Sequence, residues 1–159
     1  MGMDGIEEKM GHCIHAIIGN HESIHKIADD WFQANEIQLP QGFGMILCTN
    51  RLLDDIAELM ETENESGEPC FPELDYFDIS VKELMEQYSF RTKLAYIETD
   101  YFGGNGTQSG VLYENGKVAI APKSGEGTIN ALLKELGVWR TPDKDEFDML
   151  ELQKYRRME

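Results

Sequence analysis

The sequence predicts an α+β fold in which helices pack on a mixed β-sheet. Short apolar runs bounded by Gly, Asn and Pro alternate with stretches whose apolar residues recur every three or four positions. In the second half, segments rich in aromatic and β-branched residues flank Asn115-Gly116, the strongest short signal for a β-hairpin. We therefore expect an N-terminal β-α-β-like unit and a C-terminal antiparallel hairpin within a single domain, 1–159.

The first half carries the signals for the β-α-β-like unit. Residues 1–11 are polar, and we expect a frayed leader there. The apolar run 13–19 predicts a strand, Asn20 is placed to cap the helix after it, and the run 43–49 predicts the second strand. The apolar residues after the second strand recur with the period of a helix: Leu52, Leu53, Ile56, Leu59 and Met60.

The middle of the chain separates these elements from the rest. Residues 61–77 predict an acidic linker or loop, since the stretch is polar and interrupted by Gly67 and Pro69. Ser80 and Glu83 have the spacing of a capping box, which predicts the start of a third helix.

The second half predicts strands followed by helices. The run 94–102 reads as a strand, and 110–113 and 117–121 flank the predicted hairpin turn. A helix is expected from Thr128, ended by Gly137. Thr141-Pro142 has the pattern of a cap and first position of a last short helix.

Composition limits the classes of function. The 159 residues carry a formal net charge of −16, and residues 54–86 hold twelve Asp or Glu but one Lys. Such a charge repels nucleic acid and anionic lipid and attracts a basic protein; a solvated acidic face that aids solubility is the alternative. We expect no signal peptide and no membrane-spanning helix, because no basic start or run of 18 apolar residues occurs.

Cysteine usage predicts the compartment. The three cysteines are few and odd in number, and Cys13 and Cys48 lie in apolar runs. We therefore expect buried free thiols rather than disulfides, in a protein of the reducing cytoplasm.

One sequence motif suggests a metal site. His21-Glu22-Ser23-Ile24-His25 matches H-E-x-x-H, which on a helix places two histidines one turn apart for zinc and a glutamate beside the bound water. The motif falls in the first turn of its helix, and Glu36 is the one candidate for a third ligand. The alternative is an exposed helical turn, and we expect no metal or other cofactor.

A second group of residues predicts a binding site. Glu98 and Asp100 lie two apart on one strand and therefore on one face, where two carboxylates can hold a cation or act as acid and base. Three glycines in four residues follow, which indicates a tight turn or a close approach to the backbone. The predicted binding residues are Glu98, Asp100, Tyr101, Phe102, Gly103, Gly104, Asn105, Gly106 and Gln108. The alternative is a solvated strand face joined to a glycine-rich structural turn.

The stretch 95–108 resembles a family of small bacterial proteins marked by the signature Y-x-E-x-x-Y/F-F-G-G-x-G-x-Q. The resemblance continues through 127–138 and the segment 145–148 to Tyr155-Arg156, and covers about the last 65 residues. Where relatives tend to have glycines after the D-E-F-D segment, this chain has Glu151 and Gln153. The family has no established activity, so the resemblance implies a bacterial cytoplasmic protein with a shared site and no particular reaction.

Two classes of function follow from these observations. The first is a non-enzymatic acidic binding protein that neutralises a basic partner, by analogy with the immunity proteins of nuclease toxins. The second is a small metal-dependent hydrolase that uses either His21, Glu22 and His25 or Glu98 and Asp100. A deep pocket around these residues would favour the enzyme, and a flat acidic face would favour the binder.

Overall fold

The computed structural model describes residues 12–60, 70–102 and 105–155, and these form an α+β fold, which confirms the predicted class. The predicted leader 1–11 lies outside the described residues. Six strands and five helices follow one another in the described chain: β1 (His12–Asn20), α1 (His21–Asp30), β2 (Glu36–Gln38), β3 (Phe43–Leu47), α2 (Asn50–Met60), α3 (Ile79–Tyr88), β4 (Lys93–Phe102), β5 (Asn105–Glu114), β6 (Lys117–Ser124), α4 (Thr128–Leu136) and α5 (Glu146–Met149).

The six strands form one sheet in the order β2-β3-β1-β4-β5-β6, and every neighbouring pair is antiparallel. The expected mixed sheet is therefore wrong in its pairing, whereas the antiparallel C-terminal hairpin is confirmed. β1 and β3 were expected to be the parallel strands of a β-α-β unit, but Ile17 pairs antiparallel with Ile46. The reason is the short strand β2, which follows α1 in the chain. The turn between β2 and β3 then reverses the chain direction, so β3 runs opposite to β2.

The short strand β2 is the element that the sequence did not reveal. It runs in the same direction as β1, because each is antiparallel to β3, which lies between them. The β-α-β-like unit therefore consists of β1, α1 and β2, and β3 lies between its two strands in the sheet. Strands β2-β3-β1-β4, with helices after β1 and β3, have the split β-α-β arrangement of ferredoxin-like folds, and β5 and β6 extend the sheet beyond β4.

Each face of the sheet carries its own buried core. Along β4, Leu94 and Tyr96 point to the face covered by α1, α2 and α3, and Ala95 and Ile97 point to the face covered by α4. This alternation follows from the two-residue period of a strand. We call the two sides the three-helix face and the α4 face.

Local signals fixed several of the element ends. The Asn20 side chain accepts the Ser23 backbone N–H at 2.8 Å and so caps α1, as expected. Asn115 and Gly116 both have positive φ, 54° and 77°, and form the predicted turn between β5 and β6. Gly137 ends α4 with φ 109°, as expected.

Two helices begin at residues other than those predicted. Asp78, not Ser80, caps α3, because its carboxylate accepts the N–H groups of Ser80 and Val81. The last helix, α5, is capped by Asp145 rather than started by Thr141-Pro142. The Thr141 hydroxyl accepts the Lys144 N–H instead and closes a separate turn.

The departure from the glycine pattern of the resembled family falls at a turn. Glu151 adopts φ 59°, in the left-handed region that glycine enters most easily. The turn thus forms without glycine, and it leads into a short 3-10 turn at Leu152–Lys154.

The predicted acidic loop 61–77 is described from residue 70 onward. This part has no helix; Phe71 and Leu74 form an isolated bridge, and the Cys70 N–H donates to the Phe77 carbonyl at 2.8 Å. Leu74 and Phe77 are fully buried in the three-helix core. The loop is therefore anchored to the sheet by two apolar side chains, and this anchoring positions the residues between them.

Candidate functional site

The Glu98 carboxylate is the structural centre of the predicted site. Glu98 is 6% exposed and lies on the three-helix face of β4. Its Oε1 accepts the backbone N–H of Asp75 at 2.9 Å, and its Oε2 accepts the backbone N–H of Tyr76 at 2.8 Å. A carboxylate buried in the sheet thus binds the loop described above by two main-chain hydrogen bonds.

A third hydrogen bond comes from Tyr96 on the same strand, whose hydroxyl donates to Glu98 Oε2 at 2.7 Å. Burial raises the pKa of Glu98, while the hydrogen bonds from Tyr96, Tyr76 and Asp75 oppose that rise. Burial also raises the pKa of Tyr96 well above its ordinary value, so this hydroxyl keeps its proton and remains a donor. These three hydrogen bonds hold the Glu98 carboxylate in place and attach the loop to β4.

Tyr76 lies over the end of the sheet and is 47% exposed. Its ring stacks on the His15 ring of β1, with centroids 3.9 Å apart and an interplanar angle of 22°. His15 pairs with Glu98 across β1 and β4, so ring and carboxylate are neighbours on one face. Burial lowers the pKa of His15 to about 4, although Asp100 and Asp75 act to raise it. A neutral imidazole therefore supports the tyrosine ring near pH 7.

Asp100 and Cys13 complete this end of the sheet. They are paired across β4 and β1, and both are exposed. Burial raises the pKa of the Cys13 thiol and the charge of Asp100 raises it further, so the thiol is not an activated nucleophile. The expectation of buried thiols holds for Cys48 but is wrong for Cys13 and Cys70, which are exposed; none of the three forms a disulfide bond.

The three predicted binding residues whose side chains the structure describes, Glu98, Asp100 and Gln108, do not converge on one point. Glu98 and Asp100 lie on the three-helix face, but Gln108 pairs with Thr99 and lies on the α4 face. There its side-chain Oε1 accepts the Ile129 N–H at 2.8 Å and caps the first turn of α4. The backbones of Tyr101, Phe102, Asn105 and Gly106 lie in β4 and β5, and Gly103 and Gly104 lie outside the described residues.

Both histidines of the H-E-x-x-H motif contact the side chain of Glu36. The sequence suggested this residue as a third metal ligand, but in the structure it pairs with the two histidines themselves. His21 Nε2 is 3.0 Å from Glu36 Oε2, and His25 Nδ1 is 2.8 Å from Glu36 Oε1. The hydrogen bond to Glu36 raises the pKa of His25, and the charge of Asp29 raises it further. These nitrogens face a carboxylate instead of a shared metal position. Within the described part of the chain, no group of three or more His, Cys, Asp or Glu could hold a metal ion.

Sequence reasoning missed the residues that Glu98 positions. Tyr76 and His15 are 61 positions apart in the chain, and no local pattern links them. The available signal was weak: Leu74 and Phe77 are apolar residues in an otherwise acidic loop, which indicates that the loop is anchored.

Comparisons with known proteins leave the chain without an assigned relative. No protein-family model, curated protein or solved structure matches it. The resemblance to the bacterial family therefore stays a prediction. No helix in residues 12–60, 70–102 and 105–155 has the length and apolar character needed to cross a membrane.

Proposed function

We propose that this protein is a non-enzymatic acidic binding protein that captures a basic protein through the surface formed by Cys13, Asp75, Tyr76 and Asp100. We call it the Tyr76 surface. The observation that carries the proposal is the exposed Tyr76 ring, which is held by Glu98 and His15 beside the exposed carboxylates of Asp75 and Asp100.

Nearby Lys and Arg side chains do not neutralise the negative charge of the Tyr76 surface. Asp75 and Asp100 form no ion pair with any described Lys or Arg. The same holds for Asp54 and Glu58 of α2 and for Glu73 of the anchored loop, all of which are exposed. An uncompensated negative field of this size accelerates encounter with a positively charged partner and disfavours nucleic acid.

The aromatic group supplies short-range affinity. A tyrosine ring flanked by carboxylates binds a lysine or arginine side chain through its π-face while the carboxylates satisfy the cation. The Tyr76 main chain is fixed by Glu98 and its ring by His15, so little conformational entropy is lost on binding.

The enzymatic alternatives have weaker support. Glu98 already accepts three hydrogen bonds, and the two histidines of the motif are bound to Glu36.

We further infer that the protein acts in the bacterial cytoplasm. The three cysteines support this, since none of them forms a disulfide bond and an exposed thiol such as Cys13 persists in a reducing compartment.

A capture experiment tests the proposal. The wild-type protein is immobilised and exposed to a lysate of its bacterial source, beside Tyr76→Ala and a matched control, Phe90→Ala. Phe90 is 67% exposed and follows α3, next to Asn20 at the far end of β1 from Cys13. We expect one basic protein to be retained by the wild type and by Phe90→Ala and lost from Tyr76→Ala. Equal retention by all three, or retention of acidic proteins only, would refute the proposal.

A further inference from the structure

A cleft on the α4 face lies apart from the Tyr76 surface. It is an open cleft of about 430 Å³ between α4 and the segment that leads into α5. A volume of this size suits a small metabolite. Its lining residues are Asn130, Ala131, Lys134, Val138, Trp139, Arg140 and Glu146.

Glu146 is the unusual residue of the cleft. It is 4% exposed and lines the cavity. Among the described residues, its carboxylate accepts no hydrogen bond and forms no ion pair. The carboxylate oxygens of Glu146 reach solvent through the cleft, so a ligand there that brings a positively charged donor can bind a carboxylate that the described residues leave unpaired.

Two cations border the same cleft. Lys134 and Arg140 are exposed, and neither forms an ion pair with a described carboxylate. Unpaired cations are notable in a protein with a net charge of −16. Together with Glu146 they present both signs of charge to one cavity, while Val138, Ala131 and the Trp139 ring supply apolar surface.

Both walls of the cleft are fixed by side-chain amides. Gln41, in the turn between β2 and β3, donates through Nε2 to the Trp139 carbonyl at 3.1 Å and accepts the Trp139 N–H at 3.0 Å. Asn130 donates to the Asp145 carboxylate at 3.0 Å and accepts the Phe147 N–H at 2.8 Å. The Trp139 main chain is thus held in place, although the residue is 61% exposed, and the cleft exists before any ligand binds.

We propose that this cleft binds a zwitterionic α-amino acid with an apolar side chain. The ammonium group would lie against Glu146, and the carboxylate would face Lys134 and Arg140. The apolar side chain would pack on Trp139 and Val138. This activity is separate from the proposed capture of a basic protein and does not depend on it.

Fluorescence quenching by acrylamide tests the site, because Trp139 is exposed and Trp31, the other tryptophan, is 9% exposed. The probes are L-leucine, 3-methylbutylamine, which lacks the carboxylate, and 4-methylpentanoate, which lacks the ammonium group. We expect L-leucine to protect Trp139 with a Kd on the order of 1 mM or tighter. The amine and the acid should each bind at least about tenfold more weakly, because each leaves one sign of charge unmatched.

Three variants locate the binding. Glu146→Gln and Arg140→Ala should each weaken L-leucine binding about tenfold or more, and Lys123→Ala, an exposed cation on β6, should not. If Glu146→Gln melts at a lower temperature, Arg140→Ala decides the question, since Arg140 makes no described hydrogen bond or ion pair. The proposal is overturned if neither L-leucine nor L-phenylalanine protects Trp139 up to about 20 mM. It is also overturned if the three probes bind equally well or Arg140→Ala binds like the wild type.

Discussion

The backbone N–H of Tyr76 donates to Oε2 of Glu98 at 2.8 Å, so a buried strand residue fixes the place of an exposed aromatic ring. Glu98 contacts the loop and not the solvent. Its effect on binding would therefore be indirect, through Tyr76 and Asp75.

Replacement of Glu98 by glutamine tests this arrangement. The variant puts an NH₂ group where one carboxylate oxygen now accepts a hydrogen bond, so at least one buried donor loses its acceptor. We expect the free energy of unfolding to fall by about 1–3 kcal/mol in chemical denaturation. The matched control is Asp100→Asn, an exposed neighbour on the same strand, which should change stability by less than about 0.5 kcal/mol. Equal effects of the two variants would show that Glu98 does not anchor the loop.

The low pKa of His15 predicts a pH dependence of stability. The folded protein holds His15 neutral down to about pH 4, whereas the unfolded chain takes up the proton near the ordinary value of 6.5. Stability from this residue is therefore present above pH 6.5 and is lost as the pH falls from 6.5 toward 4.

His15→Phe keeps an aromatic ring for the Tyr76 stack and removes the titration. The unfolding free energy of the wild type minus that of the variant should fall as the pH is lowered through this window. Glu98 and His25 have raised pKa values and contribute slopes of the opposite sign, but they are present in both proteins and cancel in the difference. A difference that stays constant from pH 7 to pH 4.5 would contradict the burial of a neutral His15.

The two hydrogen bonds between Gln41 and the Trp139 backbone should protect that amide. Gln41→Ala removes both, and we expect a loss of about 1–2 kcal/mol of stability and faster hydrogen exchange at the Trp139 N–H. Gln38→Ala, on the exposed side of β2, serves as the control. Unchanged exchange at Trp139 in Gln41→Ala would mean that the clamp does not hold this residue in solution.

The left-handed conformation of Glu151 predicts a stabilising substitution. Glu151→Gly relieves the conformation and gives up an exposed ion pair with Lys154, so we expect a small net gain in stability. Glu151→Ala loses the same ion pair but keeps the strain, and thermal unfolding should place it about 1 kcal/mol below the glycine variant. The reverse order would contradict the observed φ.

The sequence predicts those parts of the fold that depend on neighbouring residues. Asn20, Asn115-Gly116 and Gly137 act through contacts within a few positions, and each performs the predicted role. The strand β2 was missed because three residues are too few to show an alternating pattern. Its absence from the prediction also gave the wrong direction to the pairing of β1 and β3.

The candidate sites depend on contacts that no local pattern encodes. Glu98 was identified from its position on a strand, but the loop residues that it binds lie 22 and 23 positions away. The Gln41–Trp139 contact spans 98 positions. Such pairs follow from the packing of whole layers, so sequence reasoning found single residues of the sites and not their partners.

The association rate constant between this protein and the basic protein proposed to bind it tests the central claim most directly. Stopped-flow measurements at about 20 mM and about 300 mM salt span the range in which surface charges become screened. The acidic Tyr76 surface predicts an association rate that falls at least about tenfold at high salt. Tyr76→Ala should leave that rate unchanged and raise the dissociation rate, because the ring acts only at short range. An association rate that is the same at both salt concentrations would contradict the account.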